Sequence, residues 1–270
     1  MEMHRVDENK LSKMNKIIIN QKYKHLRTFI ENIPETFDSA GEIIYRGRNT
    51  IRKVNYNDLT LNIKSYKKPI FINRIVYSFF RKSKSKRAYE YALRLLDAGF
   101  ATPEPVAHIE CFDSNLLNKS YFVSIHSQNV SVFRDYQCQQ LTQEISDMLQ
   151  QFAEYVAELH ENNIIHLDFS AGNILIEKTD EKYRFSIVDI NRMKFKKIGR
   201  TEGMLNLGRL CIPDDKVKII AKYYAKARNI DEDFCTQKML KNNKKNIKKF
   251  TTGKKRKRKL LTFFGKRKKY

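Results

Sequence analysis

The 270-residue chain is poor in the features that staple or anchor a protein. Its four cysteines, Cys111, Cys138, Cys211 and Cys235, lie far apart and form neither a C-x-x-C pair nor a Cys/His cluster. This excludes a disulfide framework and a structural zinc site, and fits reduced thiols in a cytoplasmic protein. No apolar run approaches the ~20 residues of a membrane-spanning helix. The longest candidate, residues 69–80, is interrupted by Asn73 and Arg74. Residues 1–16 are polar and charged, unlike a secretory signal. No internal repeat is present. Carboxylates are missing from the end of the chain: residues 238–270 hold sixteen Lys/Arg and no Asp or Glu. That leaves about +7 of the +23 net charge for the other 237 residues, so a moderately basic body carries a strongly basic tail. Apolar residues make up 41%, enough for the core of one two-lobed domain or two small ones.

What is present centres on residues 164–176. Ile164-Ile165 leads into His166-Leu167-Asp168, Asn173 follows the aspartate by five positions, and Ile174-Leu175-Ile176 reads as a strand. Sixteen residues past Asn173 stands Asp189, in Ile187-Val188-Asp189-Ile190-Asn191. This layout belongs to phosphoryl transfer. One aspartate receives the proton of the attacking hydroxyl, an asparagine five positions on holds a metal ion, and a second aspartate holds metal against the ATP phosphates. A short loop can place the base carboxylate at the nucleophile and return the asparagine amide nearby. The hairpin after it then presents the next carboxylate. On these terms Asp168 is the base, His166 orients the loop by hydrogen bonding, and Asn173 and Asp189 offer oxygen ligands suited to Mg²⁺ or Mn²⁺.

The flanking pattern is α+β. Glu42–Tyr45 and Thr50–Val54 read as a hairpin around Arg46-Gly47-Arg48-Asn49, and Leu59–Tyr66 alternates as a third strand. Residues 85–98 have helical spacing and stop at Gly99. Two more strands follow at 106–112 and 121–125, and Ile17–Ile19 has the composition of an edge strand. The second half turns helical: Leu141, Ile145, Met148, Leu149, Phe152, Val156 and Leu159 form one apolar stripe that ends at Asn162-Asn163. Further helices are expected around 204–210 and 215–228.

With these residues in place, the chain resembles the protein-kinase-like fold, and within it the bacterial lipopolysaccharide-core kinases that phosphorylate Kdo or heptose sugars. The resemblance spans roughly residues 41–210. It rests on Leu159-His160, the His166–Asp168 and Asn173–Leu175 runs, Asp189-Ile190-Asn191-Arg192, which is similar to an Asp-Phe-Asp-Arg motif, and Asn206-Leu207-Gly208-Arg209-Leu210. It implies two lobes: a β-rich lobe over 1–126 with five strands and an αC-type helix, and a short, mainly helical lobe over 127–237 with the catalytic loop. A polybasic tail occupies 238–270. It also implies ATP as co-substrate. Lys64 would grip the α/β-phosphates, Glu90, 26 residues on, would pair with Lys64, and the turn Gly47-Arg48-Asn49 stands where a glycine-rich phosphate loop belongs, without G-x-G-x-x-G. Leu167 replaces the arginine of His-Arg-Asp, Ile190-Asn191 replaces Phe-Gly, and only 81 residues follow Asp189. These departures argue against a regulated protein kinase.

The charge fits a lipid-linked acidic acceptor. A polybasic surface is worth ~1 kcal/mol per Lys/Arg near an anionic membrane. The tail mixes bases 254–259 and 266–269 with Leu260-Leu261 and Phe263-Phe264, as peripheral membrane segments do. The expected partners are therefore ATP, a lipid A-core glycolipid and the inner face of the cytoplasmic membrane, with nucleic acid the less favoured polyanion. Residues 71–82 have a similar look, and an ordinary upper-lobe helix packed on the sheet is an equal reading there. An atypical Ser/Thr or small-molecule kinase, and a non-catalytic pseudokinase or RNA-binding protein, remain the alternative functions.

Overall fold

The computed structural model describes residues 14–180 and 182–266, with side chains placed as far as Thr252. The side chains of the basic clusters at 254–259 and 266–269, and of the apolar pairs between them, lie outside that range. Backbone contacts divide the chain into two units. One holds the residues up to Gln128 together with Asp189–Asn191; the other holds Asn129–Val188 and the chain from Arg192 on.

The first unit is a six-stranded antiparallel sheet with a helix on each face. Strand β1 (Met14–Ile19) is followed by a 3-10 turn and α1 (Arg27–Thr36), then β2 (Glu42–Arg46), β3 (Thr50–Tyr56) and β4 (Leu59–Tyr66). After the short α2 (Phe71–Ile75) and a π-helical turn come α3 (Lys84–Asp97), β5 (Pro105–Asp113) and β6 (Leu116–Ile125). The strand order is β1-β5-β6-β4-β3-β2. The sheet thus has one strand more than the five expected. β1 adds at the edge of β5, with Ile17 and Ile19 against the core and Ile18 exposed, the period-two alternation of a strand with one buried face.

Helix α1 supplies the main core, with Leu26, Ile30, Ile33 and Phe37 packed on Leu61, Ile63, Ile109 and Val123. Alternation along β4 turns Leu61 and Ile63 into this core and leaves Lys64 on the opposite face. Helix α3 starts at Ser83, whose hydroxyl accepts the N–H of Lys86. It ends at Gly99, whose φ of +82° is the left-handed conformation of a helix stop. Its Tyr89 ring lies 5.3 Å from that of His108 on β5.

The second unit is mainly helical. Two-residue β7 (Ser131–Val132) precedes α4 (Gln143–Glu161), capped by Thr142 and buried along Ile145, Met148, Leu149, Phe152, Val156 and Leu159. Asn163, at φ +62°, turns the chain into β8 (Ile164–His166). The hairpin β9 (Ile174–Lys178) and β10 (Tyr183–Ile187) joins β7 in a small sheet, and β8 pairs with β11 (Met193–Phe195). Helices α5 (Arg200–Leu207), α6 (Asp214–Ala227) and α7 (Glu232–Lys266) complete the unit.

Helix α7 corrects the expected boundary at 237/238, which falls inside it. Its first turns are not a solvated tail: Cys235, Met239 and Asn243 are fully buried. Asn243 brackets Ile212, accepting its N–H at 3.2 Å and donating to its carbonyl at 2.8 Å. Asn242 donates to Leu205 O at 2.7 Å and Asn246 to Gly208 O at 2.9 Å.

Candidate active site

In the second unit the 166–173 loop is held by its own polar groups. β8 delivers His166, whose ring is fully buried and whose Nδ1 accepts the backbone N–H of Asp168 at 3.1 Å. The Asn173 amide donates to Asp168 O at 2.9 Å, closing the loop and leaving its oxygen as the side-chain acceptor. Asn173 O receives the N–H of Val188 at 3.0 Å, so the same residue anchors the end of the hairpin. Phe169 is fully buried and stacks on Phe152 of α4, ring centroids 6.1 Å apart, which fixes the loop to the helix. The Asp168 carboxylate is about half exposed, at 47%, with Arg192 Nη1 3.4 Å from Oδ2.

Two further contacts bear on this loop. Leu167 N donates to Arg192 O at 2.9 Å, which carries the arginine alongside the aspartate. The guanidinium of Arg134 lies directly over Gly172, where a Cβ would displace the arginine tip. Behind the loop runs a buried polar chain. Asn206 donates to His166 O at 2.9 Å, its Oδ1 faces His160 Nε2 at 3.3 Å, and His160 Nδ1 meets the Tyr224 hydroxyl at 2.9 Å. Burial pushes His160 down to about 4, with the Arg228 charge acting in the same direction against the Asn206 hydrogen bond, so the ring is neutral near pH 7.

In the first unit Lys64 and Asp189 meet. Lys64 Nζ donates to Asp189 Oδ1 at 2.6 Å, and the Asn191 amide donates to the same oxygen at 2.6 Å. Asp189 has φ +56°, a left-handed conformation that costs a non-glycine residue about 1–2 kcal/mol. Tyr66 lies below the Lys64 ammonium, 5.4 Å from ring centroid to Nζ. Burial, reinforced by the Asp189 charge, raises the pKa of its phenol.

The expected Lys64–Glu90 pair does not form. Glu90 takes Lys82 at 2.8 Å, eight residues away in sequence, and Lys64 takes Asp189. The Gly47-Arg48-Asn49 turn is present between β2 and β3, but the Gly47 N–H is committed to Asn49 O at 3.0 Å, and Asn49 Oδ1 receives the N–H of Lys67 at 3.4 Å. The glycine N–H thus has a partner within the turn.

The sequence profile of the lipopolysaccharide kinase (Kdo/WaaP) family matches residues 38–232. The chain belongs to that family. It is 29% identical over 147 residues to a 3-deoxy-D-manno-octulosonic acid kinase of Mannheimia succiniciproducens, covering 52% of this chain and 58% of the relative. It is 30% identical over the same length to the corresponding kinase of Actinobacillus succinogenes, with the same coverage. The chain therefore spans little more than half the length of these curated relatives. Among solved structures it is similar to WaaP in complex with acyl carrier protein, at TM-score 0.61 and 15% identity over 86% of this chain and 99% of that one. That likeness shows the kinase-like α+β fold.

For a member of this kinase family, the residues that sequence reasoning left without a role are Arg192, Arg134 and Asn206. Arg192 and Asn206 lie inside motifs quoted for the resemblance, so the signal was available. Arg134 carries no local signature, and only the fold brings it to Gly172. Among the described residues no group of three or more His, Cys, Asp or Glu is arranged to hold a metal. Asp189 in the first unit and Asn173 in the second each carry a side-chain oxygen of the donor type that suits Mg²⁺.

Proposed function

We propose that the protein transfers the γ-phosphoryl group of ATP to a hydroxyl of Kdo or heptose in a lipopolysaccharide inner core. One observation carries this: Asp168 is pinned through its backbone by His166 and Asn173 while its carboxylate stays half exposed beside Arg192. A carboxylate held this way accepts the acceptor's hydroxyl proton late in a loose transition state. The acceptor O–H bond breaks to Asp168, the new O–P bond forms, and the bond between the γ-phosphorus and the β,γ-bridging oxygen breaks to release ADP. Lys64 is assigned to the ATP phosphates, with Asp189 fixing its ammonium. Asp189 and Asn173 are the ligands assigned to Mg²⁺ or Mn²⁺, which when bound neutralises charge on the phosphate oxygens. Arg192 and Arg134 place two guanidinium groups at the catalytic loop, suited to an acceptor that is itself anionic, as the carboxylate sugar Kdo is.

An acceptor of this kind is lipid-linked, and the bases along α7 suit an anionic membrane surface more than a nucleic-acid backbone, because leucine and phenylalanine pairs interrupt them. Among the described residues no helix is long and apolar enough to cross a membrane. The test is acceptor profiling with radiolabelled ATP and Mg²⁺ on Kdo-lipid A, a heptosylated core and a panel of proteins, with the product read by mass spectrometry. One phosphate added to a core sugar supports the proposal. Label confined to protein serine or threonine overturns it.

A further inference from the structure

The connection between β4 and α3 leaves much of its apolar surface outside. Residues 59–89 contain nine Lys/Arg and no Asp or Glu. In their middle, Phe71–Ile75 forms α2 and Val76–Phe80 a single π-helical turn. A surface helix ordinarily turns its apolar stripe to the core. Here Ile75, Val76 and Tyr77 are half-buried, and polar side chains add the hydrogen bonds of the attachment. Arg74 Nε donates to Leu117 O at 3.0 Å, and its Nη2 lies 3.9 Å from Asp113. The Ser78 hydroxyl donates to Arg74 O at 2.7 Å and accepts the N–H of Leu117 at 2.9 Å. These bonds hold the segment on the turn between β5 and β6.

The outward side is apolar. Ile70, Phe71, Ile72, Phe79 and Phe80 are 69%, 64%, 69%, 64% and 82% exposed. Single exposed apolar residues are ordinary, but five within residues 70–80 are a concentration of the kind that marks an interaction surface. The Phe79 and Phe80 rings touch edge-on, at 6.5 Å, so they present one connected apolar surface. Lys67, Lys68 and Arg81 stand exposed at its margins. An apolar face rimmed by bases, with no carboxylate in the surrounding sequence, is complementary to acyl chains beneath anionic headgroups.

We propose that this segment is a membrane wedge. Ile70, Phe71, Ile72, Phe79 and Phe80 enter the acyl boundary of an anionic bilayer while Lys67, Lys68 and Arg81 meet its lipid phosphates. The wedge rests on the lipid-linked acceptor proposed above and gives the kinase a docking element of its own, separate from α7. The attachment through Arg74 and Ser78 makes it a fixed protrusion, so docking sets the orientation of the first unit relative to the surface.

The chain contains no tryptophan, so Phe80→Trp places a single reporter on the wedge. The full chain is mixed with vesicles of phosphatidylglycerol and phosphatidylethanolamine, with phosphatidylcholine vesicles, and with a small acidic carrier protein. The expected result is a blue-shifted emission with anionic vesicles, quenched by lipids brominated along their acyl chains, and little change with phosphatidylcholine. The variant Phe71→Ser/Phe79→Ser/Phe80→Ser alters only exposed side chains. It should lower partitioning onto anionic vesicles by about tenfold or more, given the apolar area it removes, with an unchanged circular dichroism spectrum and unchanged turnover of a soluble Kdo acceptor. Unshifted emission from protein that sediments with the vesicles overturns the wedge, as does an unchanged partition of the triple variant or a failure of the full chain to sediment at all. A shift given by the acidic protein and not by vesicles makes the surface a protein-docking site instead. The sugar-kinase proposal fails separately: loss of all sugar phosphorylation alongside an intact lipid-induced shift refutes that proposal and leaves the wedge standing.

Discussion

The ammonium of Lys64 lies 2.6 Å from Oδ1 of Asp189, and the amide of Asn191 donates to that same oxygen. Lys64, proposed for the nucleotide phosphates, is thus set by Asp189, and Glu90 is occupied with Lys82. Lys64→Met should raise the KM for ATP about tenfold or more, the size of a lost charge-assisted hydrogen bond. Glu90→Gln should change it by less than about twofold, since it removes only an exposed pair. Initial rates over a range of ATP concentrations check both; a large Glu90→Gln effect would mean that Lys64 changes partner during the reaction.

Asp168→Asn should leave ATP affinity nearly intact and lower kcat by about 10²-fold or more, the usual contribution of a positioned base. Arg192→Ala should act mainly on the acceptor, raising its KM, because the guanidinium stands at the exposed carboxylate and its removal leaves the Asp168 backbone anchors in place. Equilibrium ATP binding and steady-state kinetics with varied acceptor separate the two roles. An Asp168→Asn protein with full kcat would remove Asp168 as the base.

Two buried histidines make stability depend on pH. Burial pushes His160 and His108 down to about 4, helped by the Arg228 charge at the first and the Lys86 charge at the second. The unfolded chain takes up these protons near its ordinary value of 6.5, and the folded chain does not until about 4. Their contribution is therefore complete above about pH 6.5 and is lost as pH falls towards 4, by up to roughly 3 kcal/mol for each group. Denaturant titrations between about pH 7.5 and pH 5 should show this slope, and His160→Gln should reduce it. A slope unchanged in His160→Gln would show that other groups dominate.

Asn243→Ala should cost about 1–3 kcal/mol, because it leaves both the N–H and the carbonyl of buried Ile212 without their side-chain partner. Replacing the exposed Lys248 with alanine should be silent. Truncation after Phe250 should keep the melting temperature, whereas truncation after Gln237 removes Met239 and Asn243 from the core and should lower it sharply. Thermal melts of these four variants decide whether α7 belongs to the fold.

The family and the α+β class were legible because the His166–Asn173 loop is short. Covalent geometry leaves few ways to place its groups, so spacing alone carries the information. The choice between Glu90 and Asp189 as partner of Lys64 was not legible. The two lie 26 and 125 positions away, and nothing local says which one the fold brings near. Helix α1 escaped notice although Leu26, Ile30, Ile33 and Phe37 recur at helical spacing, because Pro34 sits inside it and reads as a break. The docked part of α7 was hidden by charge: Cys235, Met239, Asn243 and Asn246 follow one helical face, but lysines on the other faces dominate any window average.

The asparagines of α7 grip Leu205 and Gly208, and between these residues Asn206 reaches out to the carbonyl of His166. The 166–173 loop therefore has a remote handle. A ligand or antibody that pried α7 from this seat should release the C-terminal end of α5 and, with it, the backing of the 166–173 loop. Faster amide exchange at His166–Asn173 in an Asn242→Ala/Asn246→Ala protein would register the slackening. Unchanged exchange there would show that the loop stands without its distant support.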